Sequence, residues 1–371
     1  MIYFDNAASS PLREEVKAIL REELELFANP SSLHEAGFAA EKRMKAAREN
    51  VAKALNAKAE EIVFTSGGTE ADNLAVLSAA KKMRRRGNRI LTSDAEHPAV
   101  SECMKQLSEE GFEIVTLSTR GGRIDPSEAA RLTDEKTALC AVMHTNNETG
   151  AVFDIPAVCR AVKEKNPHCL TFSDGVQGFF HRPLCPERLG LDLFSISSHK
   201  VHGPKGVGAL WVKKGLQLSP RLLGGGQERG LRNGTENLSG IVGFGEACRV
   251  GASAMQEDIA RMEEIRSYLL KELAPFSRVI PNLPAEASCH VLSLQVEGFR
   301  SEVLLHSLSA RGIFVSSGSA CSSHKGKSPV LKNFGLSDRE SDRTVRLSFS
   351  GLNTVAEAAE FVKVLKEIAK L

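Results

Sequence analysis

Between residues 60 and 215 the chain alternates short β-rich runs with helical stretches, and no other feature limits its fold as strongly. Ile62-Val63-Phe64 leads into an apolar helical stretch through Leu74, Val76 and Leu77. Arg89-Ile90-Leu91-Thr92 precedes a helix from about Pro98, and Glu113–Leu117 precedes another with a well-marked start. There Asp125 can cap, Pro126 takes the first turn, and Glu128 follows three residues after the cap. Leu139–Met143, Leu170–Phe172, Leu193–Ile196 and Ala209–Val212 supply further strands. Parallel strands need long crossovers, usually helical. The pattern therefore predicts an α/β fold, a mostly parallel sheet covered by helices.

The pattern changes after Gly224-Gly225-Gly226. A long amphipathic helix is predicted from about Asn237 to Leu273, interrupted near Gly251, and Pro275, Pro281 and Pro284 then break the chain. Beyond them come a strand at His290–Leu294, a helix near Ser301–Arg311, a strand at Thr344–Ser348 and a last helix from Val355. This reads as a smaller α+β unit. The expected division is a large domain over 13–255 and a small one from 1–12 and 256–371, and 371 residues suffice for two such cores.

Composition removes several function classes. Lys and Arg number 48 against 46 Asp and Glu, so a net charge of +2 leaves no electrostatic footprint for nucleic acid or an anionic membrane. The basic run Lys81–Arg86 falls at a predicted helix end, where cations complement the dipole. No apolar stretch approaches the roughly 20 residues that span a bilayer. The N-terminus has Asp5 and no basic segment followed by an apolar run, so a cytoplasmic location is expected. Eight cysteines are scattered without a CxxC pair, which disfavours a thioredoxin motif or a close-spaced zinc site; no metal is expected. Such spacing fits a reducing compartment.

Four local patterns bear on chemistry. Ser66-Gly67-Gly68-Thr69 joins a strand to a helix, which fits an anion site at a helix N-terminus and fits a plain turn equally well. Lys200 follows a strand beside Ser197, Ser198 and His199, as a Schiff-base amine over a phosphate pocket would; a solvated surface lysine is the alternative. Asp174 ends a buried run with Gln177 three residues on, either as a ligand carboxylate at a strand's carboxyl end or as an ordinary helix cap. Cys321 sits among small residues with His324, Lys325 and Lys327 near enough in sequence to favour a thiolate; a structural loop cysteine is the other reading. Cys140 and Cys103 look like buried small hydrophobes.

Taken together, these patterns resemble the cysteine desulfurases of the NifS/IscS type, fold-type-I pyridoxal-phosphate enzymes of the class V aminotransferase family. The resemblance spans essentially the whole chain. It rests on Tyr3-Phe4-Asp5-Asn6-Ala7-Ala8, Asn29-Pro30-Ser31-Ser32, Phe64–Glu70, Glu96-His97, Asn146–Gly150, Ser195–Lys200, Arg229–Thr235, Ser316–Cys321 and Val345–Ser348.

The resemblance implies a mostly parallel seven-stranded sheet, with pyridoxal 5'-phosphate as cofactor. It implies that Lys200 holds the cofactor as a Schiff base and moves the substrate α-proton, and that His97 stacks on the pyridine ring and assists proton transfer as a catalytic residue. Asp174 would pair with the ring nitrogen and Gln177 with the ring hydroxyl. Gly68, Thr69, Ser197 and His199 would hold the phosphate, joined by Thr235 from the other subunit of a homodimer. Asn147 and Arg346 would clamp the substrate carboxylate, with Asn29 lining the same pocket. The implied reaction converts L-cysteine to L-alanine and leaves a persulfide on Cys321. That sulfur passes to an acceptor protein, either an iron–sulfur scaffold or a tRNA-thiolation carrier.

Two departures bear on the partner. The segment after Cys321 is basic, and the chain ends at Leu371 without the extension through which housekeeping members engage a scaffold. Competing readings are a selenocysteine lyase, an aminotransferase of the same fold, and a non-catalytic partner.

Overall fold

A computed structural model of the chain describes residues 1–317 and 328–370, so Cys321, His324, Lys325 and Lys327 lie outside the described residues. After a short strand β1 (Ile2–Tyr3), seven strands build the central sheet. They are β2 (Ile62–Thr65), β3 (Arg89–Ser93), β4 (Glu113–Leu117), β5 (Thr137–Ala141), β6 (Leu170–Asp174), β7 (Leu193–Ser197) and β8 (Gly208–Val212). Their order is β2-β8-β7-β6-β5-β3-β4. The pairs β3–β4, β3–β5, β5–β6 and β6–β7 are parallel, while β8 runs antiparallel to both β2 and β7. The sheet is thus mostly parallel, as the sequence pattern requires.

Strands β2, β5, β7 and β8 are buried along their whole length and read as continuous apolar or small-residue runs. That is the signature of a sheet covered on both faces. The helix Gly68–Met83 supplies part of one cover and is itself buried nearly all round, through Ala71, Leu74–Ala80 and Met83. A helix apolar on every side is stable only inside a core.

The later strands are β9 (Val279–Pro281), β10 (Val291–Val296), β11 (Ile313–Phe314) and β12 (Thr344–Ser348). β10 lies between β9 and β12 in an antiparallel sheet. The N-terminus closes on this unit, because β1 pairs in parallel with β11. Phe4, fully buried, meets Phe349 edge-on at 5.2 Å between ring centroids.

One expectation needs correcting. The helix Leu238–Leu273 is continuous over 36 residues and has no break at Gly251. A Cβ there would meet the Phe180 ring at 3.0 Å, so the missing side chain serves close packing of helix on ring. At 1.5 Å per residue the helix reaches about 54 Å. Ile241, Phe244 and Cys248 join the core under the large sheet, and Met262, Ile265, Leu269 and Leu273 join the core that holds Phe4.

Candidate active site

In an open sheet of parallel strands, ligands bind beyond the carboxyl ends of the strands. The candidate residues collect there. β3 is followed by Glu96 and His97, β5 by Met143, β6 ends in Asp174, and β7 ends in Ser197 just before Lys200. One cleft is lined by Gly68, Thr69, His97, Asn147, Asp174, Gln177, Ser197, His199, Lys200 and Arg346. Ten residues spread from 68 to 346 are brought to one place.

One end of the cleft is built by the helix Gly68–Met83. Gly67 caps it and no side chain satisfies its first amides, which leaves N–H groups and the positive end of the dipole facing the cleft. A Cβ on Gly68 would come within 2.7 Å of Val176 Cγ2, so only glycine lets the helix start this close. Ser197 Oγ is buried in the same wall with no hydrogen-bond partner. His199 is held neutral: burial, with Lys200 and Lys205 nearby, pulls its pKa down to about 4.

Lys200 leaves the end of β7 in a single turn of 3-10 helix, half-buried. Its Nζ donates to the Ala7 and Ala8 carbonyls at 2.7 and 2.9 Å, so the N-terminal segment fixes the amine over the cleft. Asp174 accepts from the Val176 amide at 2.9 Å, in a turn and not as a helix cap. Burial raises its pKa, and the positive fields of His97 and Lys200 with the Val176 hydrogen bond draw it back. His97 caps the helix Pro98–Glu109, its Nδ1 accepting from the Ala99 amide at 3.1 Å. Nδ1 therefore carries no proton in the neutral ring, and Nε2 does. Burial lowers its pKa, Asp174 opposing and Lys200 assisting.

Arg346 on β12 is 2% exposed. Nη2 pairs with Asp5 Oδ1 at 2.7 Å, Nη1 donates to the Asn147 carbonyl at 2.9 Å, and Nε has no partner. Asn146 organises the loop that presents Asn147: its side-chain oxygen accepts from the Glu148 and Thr149 amides, and its nitrogen donates to the Ala95 carbonyl. Arg346 also exchanges two backbone hydrogen bonds with Ser316, the residue from which the chain runs on toward Cys321.

The profile of the family described as "Aminotransferase class-V" matches residues 2–361. The chain belongs to the class-V aminotransferase family. "Cysteine desulfurase IscS" of Dictyoglomus turgidum (strain DSM 6724 / Z-1310) is 40% identical over 334 residues, covering 87% of this chain and 82% of that one. Among solved structures, one titled "NIFS-LIKE PROTEIN" is similar with a TM-score of 0.94 at 36% identity, covering 100% of this chain and 99% of that one. Another, "SspA in complex with cysteine", has a TM-score of 0.83 at 31% identity, covering 94% of this chain and 99% of that one.

The cleft of this class-V aminotransferase fits pyridoxal phosphate on its own residues. The uncapped helix start, the glycine-only approach at Gly68 and the orphaned Ser197 hydroxyl suit a phosphate. A buried Asp174 facing the cleft suits a cationic ring nitrogen, and Lys200 supplies the amine.

Several expected residues lie elsewhere. Asn29 stands in an exposed turn, its side chain accepting from the Ser31 amide at 2.8 Å, and does not line the cleft. Thr235 is exposed just before the helix Leu238–Leu273 and is likewise off the cleft. Among the described residues no cluster of three or more His, Cys, Asp or Glu suits a metal, and no helix is long and apolar enough to cross a membrane.

The sequence reading missed Asp72, Asp5 and His290. Asp72 lines the cleft, 1% exposed, with Ser195 Oγ donating to it at 2.5 Å. The sequence shows it only as an acidic residue one helical turn after Gly68 and two after Glu70, with nothing local to single it out.

Proposed function

We propose that this chain is a cysteine desulfurase that takes sulfur from L-cysteine and carries it on Cys321. The observation that carries the reading is the convergence of Lys200, Asp174 and Arg346 on one cleft, in a chain 40% identical to a protein named for that activity. A relative solved with cysteine supports the choice of substrate.

Pyridoxal phosphate, held by Gly68, Thr69, Ser197 and His199 and linked to Lys200, supplies an electron sink for the substrate amine. Asp174 would keep the ring nitrogen protonated, Gln177 would bond the ring hydroxyl and His97 would lie against the ring, all three lining the cleft. Arg346 and Asn147 bind the substrate carboxylate, a task that suits a guanidinium already fixed by Asp5. Lys200 would supply the amine that holds the cofactor and would take and return the substrate α-proton. The Cys321 thiolate would attack the substrate sulfur: an S–S bond forms, the C–S bond breaks with its electron pair going to the substrate's Cβ, which takes up a proton, and L-alanine leaves.

The other thiols support Cys321 by contrast. Burial pushes Cys103, Cys159, Cys169 and Cys289 up to about 12, and raises Cys140 and Cys248 as well, so none of these six is a ready thiolate.

The proposal includes the division into 13–255 and 1–12 with 256–371, the small unit carrying Arg346 and Cys321. It includes a homodimer in which Thr235 reaches the partner's phosphate. Phe27 and Leu33, flanking Asn29, are 96% and 89% exposed, and Leu223, near Thr235 in sequence, is 89% exposed. Exposed apolar side chains in both segments favour association there. The role of Asn29 in the carboxylate pocket rests on the resemblance alone. A cytoplasmic location and a sulfur-acceptor protein, an iron–sulfur scaffold or a tRNA-thiolation carrier, complete the reading.

The test is product analysis. Holoenzyme given L-cysteine and a thiol reductant should release alanine and sulfide in equal amounts without a keto acid. Dependence on a keto-acid acceptor, or turnover of selenocysteine with none of cysteine, would contradict it.

A further inference from the structure

Gln177 forms one wall of the cleft, and its amide could stand either way round on shape alone. Its Nε2 lies 2.9 Å from the Ala7 carbonyl oxygen. A carbonyl only accepts, so nitrogen faces Ala7 and Oε1 faces inward, 3.0 Å from His290 Nε2. Oε1 also only accepts, so His290 Nε2 must bear the proton. The opposite ring nitrogen, Nδ1, is 2.5 Å from Ser288 Oγ.

His290 is fully buried, and burial with His181, Arg346 and Lys200 nearby holds the ring neutral. Nδ1 is then the acceptor, and Ser288 donates to it. The Ser288 amide is itself tied to the Gly150 carbonyl at 2.8 Å. The ring is clamped flat as well: it stacks on His181 with centroids 3.6 Å apart and planes 8° apart. His181 Nδ1 in turn lies 3.0 Å from the backbone oxygen of Gln177.

We propose that His290, which presents Nε2–H to Gln177 Oε1 while Ser288 anchors the other side of its ring, is a positioning residue that, together with the Ala7 carbonyl, fixes the Gln177 amide with its nitrogen toward the Ala7 side of the cleft. The inference rests on the reading above, in which Gln177 serves the cofactor's ring hydroxyl. Without the His290 donor the buried Oε1 loses its partner and only the Ala7 carbonyl orients the amide, which is then freer to leave the position from which its nitrogen serves that hydroxyl. The cost is one hydrogen bond to the cofactor, about a tenfold change in retention.

The test uses holoenzyme, reading the visible absorbance band and the rate of pyridoxal phosphate release. His290→Leu should shift the band and speed release about tenfold, as Gln177→Leu does. His290→Gln, which keeps an N–H donor near the same point, should restore both. Ser288→Ala removes the hydroxyl that anchors His290 Nδ1, loosens the ring and should move both readouts in the same direction; it carries the test alone if His290→Leu does not fold. The double variant Gln177→Leu/His290→Leu should be no worse than Gln177→Leu.

Wild-type behaviour of both Ser288→Ala and His290→Leu, beside an impaired Gln177→Leu, overturns the inference and leaves the reading of Gln177 standing. An additive double variant, or a His290→Gln as impaired as His290→Leu, overturns it too. An unimpaired Gln177→Leu overturns both.

Discussion

Asp72 and Asp174 line the cleft, and Glu96 is buried near enough to feel the Asp174 charge. Burial raises all three, with Asp174 adding to the effect on Asp72 and Glu96. Glu96 is the clearest case. It accepts from Ser93 Oγ at 2.5 Å and the Met143 amide at 2.9 Å, yet burial still moves its pKa to about 8. An unfolded chain releases this proton near the ordinary 4.5 and the folded chain only near 8. Between those values the folded state binds more protons, so this contribution is complete below about pH 4.5 and is lost as pH rises toward 8. Glu96→Gln keeps an acceptor for both donors and cannot ionise. Thermal melts should therefore show the variant gaining on wild type from pH 5 to pH 8, by on the order of 4 kcal/mol. Parallel melting curves across that range would show that the Glu96 proton is not held by the fold.

Among the elements, the helix Gly68–Met83 couples fold to chemistry. Its N-terminus is the proposed anion site, while Asp72 one turn later is bonded to Ser195, the β7 residue registered against Asp174 on β6. Gly68→Ala would drive a Cβ into Val176 Cγ2, now 2.7 Å from that point, and push the helix start back. Overpacking of this kind should weaken pyridoxal phosphate retention about tenfold or more, and Val176→Ala should restore part of it. Dialysis followed by cofactor absorbance reads the effect; full retention by Gly68→Ala would contradict the role given to the helix start. The strands, this helix and the cluster at the strand ends were legible because each is a local pattern: apolar runs, Gly-Gly before a helix, a lysine after a strand. Asp72, Asp5 and His290 were not, since their importance lies in partners 123, 341 and 113 residues away. Gly251 misled for the same reason: the local rule for glycine in a helix says break, and the Phe180 ring packed against it decides otherwise. Glu128 likewise promised a capping box, but its carboxylate accepts from the Ser118 amide at 3.4 Å.

At the scale of the whole molecule, the long helix Leu238–Leu273 runs from one core into the other, and Arg346 joins them again at the cleft through Asp5 and Asn147. Ser316, bonded to Arg346 on both sides of its peptide, starts the segment toward Cys321 at the place where the substrate carboxylate would sit. Six other thiols are kept protonated by burial, which makes them poor sulfur carriers. The most direct measurement is to locate the sulfur. After a single turnover with isotopically labelled L-cysteine, alkylation and peptide mass spectrometry should find the label as a persulfide on Cys321, and Cys321→Ala should keep the cofactor absorbance while losing alanine and sulfide production. Label on Cys185 or on any of the six buried cysteines, or full turnover by Cys321→Ala, would contradict the account.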